Sequence, residues 1–225
     1  MLLSDIKIQE ARSVGLFSLE PFEASSLQPA SYDLRVGKYA FTSSLKEKMD
    51  VSEKGILRIE PGEFAVVETL ETLKFGDQIA AQLGLRSEFA RQGLMMLSGP
   101  QIDPGFKGLI IVRLINLAPN TIVLIYGTPF LTTQFFDLQY PASKLYCGPY
   151  QNQTGLSARD IQELTQTEGL TLGAVIKTLS AIAKDVNKLT TEVGTLRGSV
   201  SRITWVVPLI VGFGIAVIAI ISAIK

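Results

Sequence analysis

Short runs rich in β-branched and aromatic residues recur from about residue 30 to residue 140, and turn-forming residues separate them. They fall at 31–36, 38–42, 56–59, 64–68, 79–85, 109–116, 121–125 and 132–137. Pro61-Gly62, Gly76-Asp77, Pro104-Gly105, Pro119-Asn120 and Gly127 mark turns between them. Strands at this spacing predict a barrel or jelly roll; βαβ units would need a helical stretch between strands. Only 89–94 interrupts the strands, as a single helical turn. Ahead of them, 4–14 reads as a short helix with Ser4 at its N-cap. The stretch 15–30, with Pro21 and Pro29, reads as loop.

The pattern changes near residue 155. After a linker at 156–171, apolar residues fall at Leu172, Val175, Leu179, Ile182, Val186, Leu189, Val193, Leu196, Val200 and Ile203. Their intervals alternate three and four, the a/d spacing of a heptad repeat, which predicts a coiled coil over 172–203. A helix packed on the β domain is the alternative, and it would show a broader apolar face. The mixture of Leu, Val and Ile leaves the strand number open. Gly173, Gly194 and Gly198 each weaken the helix by about 1 kcal/mol relative to Ala.

The heptads run into WVVPLIVGFGIAVIAIISAI, with no charge inside it. A helix of that length, at about 1.5 Å per residue, spans the roughly 30 Å of a bilayer's hydrocarbon. Trp205 stands where an interfacial aromatic belongs, and Arg197 and Arg202 on one side outweigh Lys225 on the other. The expectation is one transmembrane helix at 204–224, a single-pass C-terminal anchor with the N-terminal head in the cytoplasm. The start, MLLSDIKIQEARS, is charged and lacks an apolar core, so no signal peptide is expected.

Composition narrows the chemistry. The 225 residues carry 21 basic and 21 acidic side chains, so no net field points to nucleic acid. The mean hydropathy of +0.29 reflects the C-terminal run. Histidine is absent, which removes Ser-His-Asp and Cys-His catalysis, His-ligated metals and the zinc deaminase signature together. The single cysteine, Cys147, forms no intramolecular disulfide and reads as a partly buried small apolar residue rather than a catalytic thiol.

Candidate chemistry concentrates in 84–108, GLRSEFARQGLMMLSGPQIDPGFKG, where glycines punctuate Arg86, Ser87, Glu88, Arg91 and Asp103. Arginine and serine are phosphate-binding types, and a lone carboxylate can orient a water or a sugar hydroxyl. A surface loop with merely solvated charges remains the alternative from composition alone.

Six blocks, in order over about residues 1–155, resemble the dCTP deaminase and trimeric dUTPase superfamily. ASYDLRVG at 30–37 is similar to its first block, and IEPGEFAVVETLETLKF at 59–75 to its Pro-Gly-Glu strand and Thr-x-Glu turn. GLRSEFARQGL at 84–94 resembles the phosphate motif, IDPGFKG at 102–108 the IDPG[FW]xG block, and TTQFF at 132–136 the glutamine-bearing strand. KLYCGPYQNQTG at 144–155 resembles the C-terminal arm that closes over the triphosphate.

The resemblance implies a mainly β, dUTPase-like distorted barrel or jelly-roll head. It implies a homotrimer with sites at subunit interfaces, binding a pyrimidine deoxynucleoside triphosphate with Mg²⁺. By position, Arg86 and Ser87 would contact phosphate, Arg91 would lie near base and phosphates, and Gln134 would approach the phosphates. Tyr150 and Gln153 would belong to the closing arm, and Asp103 would face the deoxyribose or activate water.

Three positions depart from the family pattern. Arg113 stands where the deaminases place the glutamate that moves protons at cytosine C4, and a guanidinium is no general base at neutral pH. Glu88 replaces a serine of the phosphate motif, and Pro149 replaces a lysine of the arm. Hydrolysis of dUTP or dCTP to the monophosphate remains open to the retained residues. The alternative is a catalytically inactive trimeric nucleotide or protein sensor that signals to the membrane, or a bare oligomerisation cap.

Overall fold

A computed structural model of the chain describes residues 1–45, 47–166 and 172–223. The side chains of 163–166, 172–174, 176–177, 198–204 and 216–223 lie outside that description. The chain divides into two compact units, Met1–Ile176 and Lys177–Lys225.

The first unit is mainly β, as the strand spacing predicts. In order it runs α1 (Asp5–Ser13), β1 (Phe17–Glu20), β2 (Leu27–Gln28), β3 (Ser31–Thr42), β4 (Lys48–Asp50), α2 (Val51–Lys54), β5 (Ile56–Ile59) and β6 (Phe64–Phe75). There follow β7 (Ile79–Leu85), α3 (Ser87–Arg91), β8 (Leu94–Met96), β9 (Gln101–Ile102), β10 (Lys107–Asn116), β11 (Ile122–Ile125), β12 (Pro129–Asp137) and α4 (Ala158–Gln166). The main sheet orders β8-β10-β6-β3-β12-β7-β9, with every ladder antiparallel, while β11 and β5 pair separately.

The two predicted strands at 31–36 and 38–42 are one strand, β3, which serves two ladders. Its first half pairs with β12, from Tyr32 to Arg35, and its second half with β6, from Ala40 to Thr42. A register shift between Val36 and Ala40 bends the strand from one ladder to the other, as bulges do. The bend leaves two β3 amides without a facing carbonyl, and β6 supplies carboxylates instead. The Arg35 amide donates to Glu71 Oε2 at 2.8 Å, and the Tyr39 amide to Glu68 Oε1 at 2.9 Å. Burial without those bonds would cost about 1–3 kcal/mol for each amide.

Alternation along the strands fills the interior. Every second residue of β10 from Gly108 to Leu114 is buried, and β5 and β11 alternate likewise. Phe17, Phe75 and Phe135 cluster inside, Phe17 and Phe135 stacked with centroids 4.7 Å apart. That position explains β1, in the stretch 15–30 read as loop. Its four residues form a strand only because β6 offers Phe75 to Thr72 as partners.

The helix expected at 4–14 is present as α1, with Ser4 at its N-cap in extended geometry. The single turn expected at 89–94 lies slightly earlier, as α3. The expectation that Cys147 is partly buried is corrected: the residue is exposed, because its segment crosses the surface rather than a strand interior. The stretch 156–171 holds α4 up to Gln166; 167–171 lie outside the described residues.

The remaining helix, α5 (Leu172–Ala223), is continuous and has Pro208 inside it. Its described a/d positions stand in the open: Val175 is 44% exposed, and Leu179, Ile182, Val186, Leu189, Val193 and Leu196 are each more than half exposed. Among the described residues no helix is long and apolar enough to cross a membrane. Within the segment expected to do so, only the side chains of 205–215 are described, and the others fall outside.

Candidate functional site

A cleft of about 430 Å³ opens on the first unit, and its walls come from several separated places in the chain. β10 supplies its floor, Leu109 to Ile111 with Arg113; the β9 turn supplies Gln101 and Asp103. The β8 exit adds Leu97 and Ser98. The segment after β12 supplies Tyr146, Tyr150 and Gln153, and α4 supplies Asp160.

The floor is rigid. The Arg113 amide donates to Ser98 Oγ at 2.8 Å, and its carbonyl accepts from the Leu97 amide at 2.8 Å. The Arg113 backbone is therefore held through both its amide and its carbonyl by the 97–98 segment, in a strand whose other neighbour is β6. Asp103 follows β9, partly buried, and its Oδ1 accepts from Gln101 Nε2. Tyr146 meets Phe106 edge to face at 5.7 Å and accepts the Tyr150 amide on its hydroxyl at 3.3 Å.

The arm at 150–156 lies along β10 like an added strand. The Asn152 amide donates to the Lys107 carbonyl at 2.7 Å, and the Leu109 amide to the Gln153 carbonyl at 2.9 Å. This contact needs a glycine at 108. Its φ is +147°, and a Cβ there would stand 2.7 Å from the Gln153 nitrogen. Gln151 fastens the same turn, accepting from the Lys107 amide and donating to the Gly105 carbonyl, each at 2.8 Å.

Of the residues named from sequence, Asp103, Arg113, Tyr150 and Gln153 share this cleft, while Arg86, Ser87, Glu88, Arg91, Gln134 and Pro149 do not line it. Arg86 opens α3, and its Nη1 sits 2.7 Å from Asp33 Oδ2. Burial pushes the Asp33 carboxyl above its ordinary range, and the Arg86 guanidinium draws it partly back. Ser87, Glu88 and Arg91 are exposed on α3. Gln134 is exposed on β12 opposite Gln82, which in turn pairs with Gln101 on β9. Pro149 is exposed on the arm beside Tyr150.

Sequence reasoning missed Ser98, Gln101, Tyr146 and Asp160. Ser98 and Gln101 sit within the glycine-punctuated stretch already singled out. Asp160 had a local signal, the Ser157-x-x-Asp160 spacing of a capping box: its carboxylate accepts from the Ser157 amide at 2.9 Å and hydroxyl at 2.6 Å at the start of α4.

The cleft offers donors for an anion in Arg113, Gln153 and Tyr150, and one partly exposed carboxylate, Asp103, able to orient water or a hydroxyl. Among the described residues no three acidic or thiol side chains gather to hold a metal.

A family model described as dCTP deaminase-like matches residues 2–137. The chain is 38% identical over 156 residues to a dCTP deaminase of Pyrococcus horikoshii, covering 69% of this chain and 95% of that protein. It is 35% identical over 179 residues to a dUMP-forming dCTP deaminase of Tropheryma whipplei, covering 70% of this chain and 91% of that one. A solved 2'-deoxycytidine 5'-triphosphate deaminase from Agrobacterium tumefaciens shares the fold, with TM-score 0.50 and 20% identity, over 60% of this chain and 47% of that one.

Proposed function

The chain belongs to the dCTP deaminase-like family, and on that premise we propose that its head binds a pyrimidine deoxynucleoside triphosphate and hydrolyses it to the monophosphate. The observation that carries this reading is the cleft that joins Asp103, Tyr150 and Gln153 to Arg113. Asp103 orients the attacking water, which gives up its proton to the carboxylate. Tyr150 and Gln153 enclose the ligand and donate to it, and Arg113 adds a permanent positive charge.

Mg²⁺, if carried in on the triphosphate, would neutralise phosphate charge, and Asp103, the partly exposed carboxylate of the cleft, would be the residue to face it. Deamination is disfavoured by Arg113. The guanidinium holds its protons at neutral pH, so it cannot pass one to and from a cytosine ring as the family's glutamate does.

Arg86, Ser87, Arg91 and Gln134 complete the site from a second copy of the chain in a homotrimer. The support is their absence from a cleft that holds the other half of the motif set. The exposed heptad stripe of α5 favours the same association, since a parallel three-stranded coil would cover it. In this reading α5 then enters a membrane as a single-pass anchor, with the head in the cytoplasm. Trp205, Leu209 and Phe213, each 69–77% exposed, are apolar surface that lipid would cover.

The test is incubation of the full chain, in detergent, with dUTP or dCTP and Mg²⁺, following pyrophosphate and ammonia release. Pyrophosphate without ammonia is the expected result. A folded trimer that binds nucleotide by calorimetry without turnover shifts the reading to a nucleotide sensor. A folded protein that binds no pyrimidine nucleotide overturns it.

A further inference from the structure

Glu68 is 3% exposed, yet no ion pair is described for it, and its two oxygens serve two different parts of the chain. Oε1 accepts the Tyr39 amide, within the barrel; Oε2 accepts the Leu156 amide at 3.1 Å, at the end of the arm. Burial raises its carboxyl above the ordinary range, the Leu156 and Tyr39 amides draw it down, Lys48 does so more weakly, and Asp50 pushes it up. A buried acid held by backbone amides from two separate segments is a mechanical joint between them.

The joint sits at the far end of the strip that covers the cleft. Tyr150 and Gln153 line the cleft before it, and Asp160 lines it after it. Leu156 is buried in a small cluster with Phe41 and Val66, separate from the main core. Gly155 permits the approach. Its φ is +154°, and a Cβ there would stand 3.2 Å from Glu68 Oε2. Carboxylate, glycine and leucine therefore clamp one point, and the walls on either side of it follow.

We propose that Glu68 is a positioning residue for the cleft, the latch that holds the arm across it and sets how tightly a ligand is enclosed. The enclosure of a nucleotide rests on the function proposed above; the latch itself does not. Two acceptors are required, because an amide points at each oxygen. A glutamine offers one carbonyl oxygen and turns an NH₂ towards the other amide, so it cannot hold both segments.

Amide exchange of the full chain by mass spectrometry tests the latch without any ligand. In Glu68→Gln, peptides covering 150–157 should exchange roughly five- to tenfold faster while the β6–β10 ladder keeps its protection. Gly155→Ala leaves the Tyr39 bond untouched while it crowds Glu68 Oε2 and strains a backbone at φ +154°, so it should give the same arm-confined effect. Unchanged exchange of the arm in both variants, or a rise spread evenly over β6 and β10 in both, overturns the proposal. Calorimetry with dUTP separates the two readings. A weaker Kd in both variants joins latch to ligand, whereas a wild type that binds no nucleotide sinks the proposed function and leaves the exchange result standing.

Discussion

The cleft and the α3 surface carry the two halves of one motif set, and the fold treats them differently. In the cleft, Asp103, Arg113, Tyr150 and Gln153 come from three separated segments and meet around one space. At α3, Arg86, Ser87 and Arg91 are neighbours in sequence, yet Arg86 is turned to Asp33 and the other two point into solvent. Adjacency in sequence placed the second set together without giving it anything to bind. Distance in sequence did not prevent the first set from forming a wall, because strand pairing brought β9, β10 and the arm side by side. In the proposed reading the donors on this exposed short helix would be completed only by another surface.

The largest expected effect breaks the comparison at its centre. Asp103→Asn removes the water-orienting carboxylate and should lower nucleotide hydrolysis by about a hundredfold or more, read as pyrophosphate release. Arg86→Ala should also abolish most turnover. If the two halves meet across a subunit boundary, mixed trimers of the two variants should recover about a quarter of the sites. Mixtures no more active than either variant alone would place both halves in one subunit, and full turnover by Arg86→Ala alone would show the α3 set to be uninvolved.

Arg113→Glu sharpens the cleft side. It puts an acid able to carry a proton where the wild type has a fixed cation, and ammonia release from dCTP should appear where the wild type gives none. Continued absence of ammonia, with nucleotide still bound, would show that the barrier to deamination lies elsewhere in the cleft.

A smaller effect separates residues within the α3 side. Arg86→Ala leaves the buried Asp33 carboxylate without its cation and should destabilise the head by about 1–3 kcal/mol in a denaturant titration. Arg91→Ala, on the exposed face, should change stability by less than about 0.5 kcal/mol. Equal losses would mean that the Arg86–Asp33 contact contributes nothing specific.

The smallest is a dependence on pH. Burial raises the carboxyls of Asp33, Glu68 and Glu71 above their ordinary 3.8 or 4.5. The folded head then keeps protons that the unfolded chain has released, so their contribution is present below the ordinary values and lost as pH rises through the raised ones. Urea midpoints of the wild type should fall with rising pH across that window, and those of Glu68→Gln should fall less steeply.

Periodicity and chemistry in the sequence determined a great deal. Strands at 56–59 and 79–85 occur at their expected bounds, because alternation against a core is a local pattern that either period supports or excludes. The glycine-punctuated stretch was visible for the same reason: arginines, a serine and an aspartate between glycines are a local fact. The unbroken heptad spacing likewise made a long helix legible, and α5 is one.

Other features depended on who stands opposite, which no local pattern contains. β1 exists because β6 is long enough to pair with it. No local pattern marks Glu68 or Glu71 as an acceptor for distant amides; the bend of β3 puts the Arg35 and Tyr39 amides opposite them. Asp160 joined the cleft only when α4 settled on β6 and the arm lay along β10. The sequence by itself determined where the longer core-facing strands run and which residue types can do chemistry, since both follow from near neighbours and residue type. Only the tertiary structure decided which of those side chains share a space, because hydrogen-bond ladders between distant segments set that, and an amide or a carboxylate has no preferred partner until one is buried beside it.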